Sequence, residues 1–153
     1  MIVRTGSAGE TRRLGVELAE RLTPGGTALL FGDLGSGKTV LTQGIAEGLG
    51  LDATLIQSPT YTLVHEYDRG PVRLVHVDLY RLQPEEVEGI GLEELLAGDG
   101  VKVVEWADRL PYRLPAMEVR LEVGGEAGER TIEVLEPLLE SRPGTGPVDS
   151  SST

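Results

Sequence analysis

Residues 32–39 read Gly-Asp-Leu-Gly-Ser-Gly-Lys-Thr, the full G-x-x-x-x-G-K-[ST] pattern, and no other stretch limits the fold so tightly. The apolar run TALLF before it predicts a strand, and TVLTQGIAEGL after it predicts a helix, which is the setting the pattern needs. Glycines at 32, 35 and 37 open backbone conformations closed to other residues. Successive N–H groups then converge on a phosphate at the positive end of the helix. The phosphate-contacting run expected from this is Asp33, Leu34, Gly35, Ser36, Gly37, Lys38, Thr39 and Val40. Within it, Lys38 is placed to reach β- and γ-phosphate oxygens, and the Thr39 hydroxyl is placed to ligate Mg²⁺.

At 153 residues the chain suits one core, so a single P-loop domain is expected over 1–138, with a mobile Pro/Gly/Ser-rich tail over 139–153. There is no cysteine and there are only two histidines, far apart, so disulfides and thiolate or imidazole zinc sites are set aside in favour of Mg²⁺ on oxygen ligands. No apolar run of about 18 residues occurs, and the opening MIVRTGSAGETRR lacks a signal-peptide core, which leads to the expectation of a soluble, cytoplasmic protein. The formal net charge is −11, from 25 acidic against 14 basic residues, which disfavours gripping nucleic acid without help.

Along the chain, SAGETRRLGVELAERL predicts a helix with a Ser7 cap, Glu10 completing a capping box, and Leu14, Leu18 and Leu22 on one face. After the P-loop helix, two β-rich runs joined at DRGP predict a hairpin. Pro84 opens a short helical region, VKVVEW reads as a buried strand, and MEVRLEV with RTIEVLE predicts a second hairpin. The fold expected is an α/β, P-loop NTPase-type three-layer fold with a mixed parallel and antiparallel sheet.

Phosphoryl chemistry needs acids beyond the loop, and two are the first carboxylates after apolar strands: Asp78 ends VRLVHVD and Glu105 ends VKVVE. Asp78 is assigned to Mg²⁺ through water, and Glu105 to polarising the water that attacks the γ-phosphate and to the metal side of the site. Thr60, in SPTYT between the P-loop helix and the first hairpin, is the candidate γ-phosphate sensor. Trp106, the single tryptophan, adjoins Glu105 and is read as a nucleotide-stacking or partner-facing residue, with a core role as the alternative. His76 shares a strand face with Asp78, two residues away, and either bonds a site carboxylate or belongs to the core.

These residues leave four functional classes to separate. A small-molecule kinase would use Asp78 or Glu105 as base, but the nearest thing to an arginine-rich lid is the short ADRLPYR. A guanine-specific switch is excluded, because its N-K-x-D reader needs an asparagine and the chain has none. An ATPase is the reading that remains first, with the kinase and a nucleotide-sensing interaction module as its alternatives.

The blocks GDLGSGKT, SPTYTLVHEY, HVDLYRL and VVEW, in this order, resemble the bacterial TsaE (YjeE) family, small P-loop ATPases of tRNA threonylcarbamoyladenosine synthesis. The resemblance implies ATP and Mg²⁺ binding, weak hydrolysis by the isolated protein, and association with TsaB and TsaD. Those two paralogous, actin-like-fold proteins transfer threonylcarbamoyl to adenosine 37 of tRNAs reading ANN codons. Carried over by position, Lys38 and Thr39 are the P-loop ligands, Thr60 lies in a switch-like segment, Asp78 is the metal-side acid, and Glu105 with Trp106 forms the family's EW pair. Many relatives follow EW with proline where this chain has Ala107, a departure that bears on loop rigidity. The task implied is to reset the transferase between turnovers, and an acidic helper that does not itself read tRNA suits it.

Overall fold

A computed structural model describes residues 1–56, 64–68 and 70–137. The chain begins with β1 (Ile2–Thr5) and α1 (Ala8–Leu22), followed by β2 (Thr27–Phe31) and the P-loop helix α2 (Lys38–Gly48). β3 (Val64–Tyr67) and β4 (Leu74–Asp78) form the first hairpin, α3 (Pro84–Glu88) and α4 (Leu92–Leu96) follow, and β5 (Val101–Glu105) returns through the sheet. β6 (Met117–Val123) and β7 (Arg130–Leu135) form the second hairpin. Among the described residues these strands make one sheet in the order β1-β7-β6-β2-β5-β4-β3.

The sheet is mixed, as expected. β6, β2, β5 and β4 are mutually parallel, while β7, β1 and β3 are antiparallel to their neighbours. Strand alternation sorts the interior into two clusters, one on each face. Ala28 and Leu30, Leu74, and Val101 and Val103 pack with Leu14, Leu18, Leu41 and Ile45 under α1 and α2. Leu29, Val75, Val77 and Val104 pack instead with Val87, Leu92 and Leu96 under α3 and α4. Two helix layers enclosing one sheet are the three layers.

α1 and α2 meet at unusually small residues. A Cβ at Gly15 would strike the Leu41 carbonyl, and one at Gly44 would strike the Arg12 carbonyl, so glycine at both positions lets the two backbones come together. At the start of α1 the Glu10 N–H donates to Ser7 Oγ at 3.2 Å, but Glu10 Oε1 accepts from Gly6 N at 2.7 Å. The reciprocal half of the expected capping box therefore falls one residue earlier than the Ser7 cap. β1, four residues of which Val3 and Thr5 face inward, is too short to show a period in the sequence, lies outside the sequence expectation and is held by pairing with β7. Among the described residues no helix is long and apolar enough to cross a membrane. The candidate sensor Thr60 with the rest of SPTYT, and the tail over 139–153, lie outside the described residues.

Candidate functional site

The face that α2 covers follows from strand periodicity. Leu74, His76 and Asp78 on β4 alternate onto it, as do Val101, Val103 and Glu105 on β5, so the two strand-end acids share the side where the P-loop opens. They also stand level, since Asp78 and Glu105 are register partners across the parallel pair. β2, between β5 and β6, delivers the chain into the loop beside Glu105, because Leu30 is the register partner of Glu105.

In the loop, Gly35 (φ 80°) and Gly37 (φ 105°) take left-handed conformations that side chains rarely adopt. Ser36 N donates to Asp33 O at 3.0 Å, which closes the turn. The loop borders a cleft of about 250 Å³ lined by Leu34, Gly35, Gly37, Lys38, Thr39, Val40, Glu105, Trp106 and Arg130. Three further expected residues, Asp33, Ser36 and Asp78, do not line it. The Ser36 side chain is buried, Asp33 supplies its carbonyl to the turn, and Asp78 lies buried alongside.

Lys38 has its ammonium folded back on the loop. It donates to the carbonyls of Gly32 and Asp33, the latter at 2.8 Å, and lies 4.1 Å from the centre of the Trp106 ring. Burial lowers its pKa below the ordinary 10.5, against the opposing pull of Glu105 and Asp78. Charge is thus stored in a partly dry site, held by weak partners that an incoming phosphate outcompetes.

Glu105 is 2% exposed and both of its oxygens are occupied. Oε1 accepts from Thr39 Oγ1 at 3.3 Å and Oε2 accepts from His76 Nε2 at 2.6 Å, while Thr42 Oγ1 lies 3.4 Å from Oε2 and donates to the nearer Lys38 carbonyl at 2.9 Å. Of the two readings of His76, the carboxylate partner is the one realised, although the ring is also fully buried and its Nδ1 finds no partner among the described residues. Asp78 Oδ1 accepts from Tyr80 N at 2.9 Å. Its pKa is raised above 3.8 chiefly by burial, reduced by that N–H bond and raised further by the Glu105 charge.

Trp106 carries φ 58°, the one positive φ at a described residue other than glycine, so the backbone turns sharply straight after Glu105. The turn brings the indole to the cleft, where it also packs against the edge of the core under α3 and α4, with the Tyr80 ring 4.8 Å away. Ala107 opens a short 3₁₀ turn, Ala107–Arg109, closed by bonds from Arg109 N to Trp106 O and Leu110 N to Ala107 O, each 3.0 Å. These bonds order the segment that follows Trp106.

Sequence reasoning missed two residues at this site. Thr42 follows Thr39 by three positions on α2, a helical spacing that puts both hydroxyls toward Glu105 and is visible in the sequence. Arg130 arrives from the far hairpin, and no local pattern marks it. A larger cavity, about 430 Å³, lies at the opposite end of the strands, around Thr27 and Lys102. Its Lys102 ammonium is already bonded to the carbonyls of Gly25 and Gly98, so it acts as a tie between loops.

A glycine loop between β2 and α2, with acids on the neighbouring strand ends, belongs to the P-loop NTPase-type α/β fold. The family model described as threonylcarbamoyl adenosine biosynthesis protein TsaE matches residues 5–132, and the chain belongs to this family. It is similar to the tRNA threonylcarbamoyladenosine biosynthesis protein TsaE of Nostoc sp., 42% identical over 128 residues, which are 81% of this chain and 78% of that one. The Bacillus subtilis protein of the same description is 41% identical over 118 residues, 77% of this chain and 73% of that one. Among solved structures, the crystal structure of YdiB from Bacillus subtilis superimposes with a TM-score of 0.68 at 34% identity, covering 86% of this chain and 82% of that one.

Proposed function

We propose that the protein is a Mg²⁺-dependent ATP-binding protein and weak ATPase that supports formation of threonylcarbamoyladenosine at position 37 of tRNAs reading ANN codons. It acts with TsaB and TsaD in the cytoplasm, resetting the transferase between turnovers. A single domain over 1–138 does this work, and 139–153 is a tail.

The observation that carries the reading is the hydrogen bond from Thr39 to Glu105, beside the level, buried Asp78. A hydroxyl at the start of the P-loop helix and two strand-end carboxylates make an all-oxygen set of the kind Mg²⁺ takes. Thr39, Asp78 and Glu105 would hold the ion, Asp78 through water, and the ion when bound would neutralise phosphate charge.

The remaining chemistry belongs to the chain. The N–H groups of residues 33–40 seat the phosphates at the start of α2. Lys38 leaves the Gly32 and Asp33 carbonyls for phosphate oxygens, exchanging neutral acceptors for charged ones. His76 and Thr39 fix the Glu105 carboxylate, so that it orients the attacking water without first reorganising. Trp106 forms one wall of the cleft and shields Lys38 from water. Thr60 senses the γ-phosphate and carries its presence to the partner surface.

The test separates an ATPase from a sensor. Binding of ATP with Mg²⁺ is followed through the fluorescence of Trp106, the single tryptophan, in wild type and in Glu105→Gln. Glu105→Gln keeps ATP affinity within about threefold and lowers turnover by about 100-fold, the usual worth of a positioned base. Equal turnover in the two proteins would remove Glu105 from the chemistry.

A further inference from the structure

Arg130 opens β7 and reaches across to the glycine loop. Its Nε donates to Ser36 O at 2.9 Å and its Nη2 to Gly35 O at 3.0 Å, while Nη1 donates to Glu129 O at 2.8 Å. The guanidinium also borders the cleft, beside the Gly37 backbone. We propose that Arg130 is a positioning residue for nucleotide binding: it aims the loop's N–H groups by holding their carbonyls from behind. This rests on the reading that phosphates sit in the loop.

The reason lies in the peptide unit, which is planar and trans, so its C=O and N–H point in opposite directions. Pinning Gly35 O therefore directs Ser36 N–H away from Arg130, and that N–H is the one that closes the turn on Asp33 O. Pinning Ser36 O directs Gly37 N–H to the side opposite Arg130. Gly37 is left-handed and bears no side-chain cap, so its own conformational preference does not hold that peptide in place.

The other cation on the loop, Lys38, holds Gly32 O and Asp33 O. Lys38 must let go to meet phosphate, and Arg130 need not. The planar fork is what allows one side chain to hold two successive carbonyls, which a lysine ammonium does poorly. Arg130 therefore keeps the loop shaped at the moment its other cation departs.

The test uses the full chain, with Arg130→Lys and Arg130→Gln. Both keep a long side chain at the start of β7, next to its partners Thr5 and Val123. ATP affinity is measured by calorimetry, and amide hydrogen exchange and melting temperature are recorded without nucleotide. Both variants are expected to melt with wild type, to bind ATP about tenfold more weakly, and to exchange faster at the amides of residues 36–38 only. In steady state the loss appears more in KM than in kcat. Unchanged affinity and exchange in variants of a wild type that binds ATP would overturn this inference alone. Faster exchange throughout the chain, in step with lost affinity, would also overturn it, since Arg130 would then serve only general stability. Absence of ATP binding by wild type would overturn the nucleotide reading and this inference together.

Discussion

Asp78 is buried level with Glu105, and removal from water makes its carboxylate harder to ionise than an ordinary one of pKa 3.8. A charged group kept in such a place weakens the fold, and the proposed function gives it a bound cation to serve. Asp78→Asn keeps an oxygen for the Tyr80 N–H and removes the charge. The variant is expected to be more stable than wild type at neutral pH by about 1 kcal/mol, and to lose Mg²⁺-dependent ATP turnover. The sign of the pH dependence follows from the raised pKa. Between 3.8 and that higher value the folded state binds the extra proton, so the stability gap between variant and wild type narrows as pH falls through this window. Thermal melts from neutral pH downward check this, and a variant less stable than wild type at neutral pH would contradict it.

α1 and α2 cover one face of the sheet together because glycines let them touch. Gly44→Ala pushes a methyl group into the Arg12 carbonyl and is expected to cost about 3 kcal/mol in urea unfolding, with α2 and its P-loop shifted off the sheet. A cost below about 0.5 kcal/mol would mean that the helices separate freely. The contrast with what the sequence displays is instructive. The loop, α1, both hairpins and the α3 start at Pro84 are legible locally, because each depends on neighbours a few residues away. Lys38, Thr39, Glu105 and Trp106 were legible too, through a fixed motif and a strand-end position, and they meet around one cleft. Strand order was not legible, since β6 and β5 flank β2 through pairings distant in sequence. Arg130 depends on that order: only with β7 beside β6, and β6 beside β2, does its guanidinium reach the loop. β1 was hidden for the opposite reason, being too short to carry any pattern.

The chain as a whole carries −11 charges and yet belongs to a family named for a tRNA modification. Tight contact with a polyanion requires a cationic face, which is why the proposed function puts the chain beside the proteins that hold tRNA rather than on the tRNA itself. The site has a form that suits this: Lys38 rests on neutral carbonyls, and Glu105 is already held by Thr39 and His76. On the proposed function such a site is ready for ATP, and the trigger for turnover is assigned to a partner. The most direct test is steady-state ATP hydrolysis with Mg²⁺, by the protein alone and with TsaB and TsaD added, using Lys38→Ala as the blank. Several-fold stimulation by the pair, abolished in Lys38→Ala, is the result predicted. Turnover that the pair leaves unchanged, or that persists in Lys38→Ala, would contradict the account.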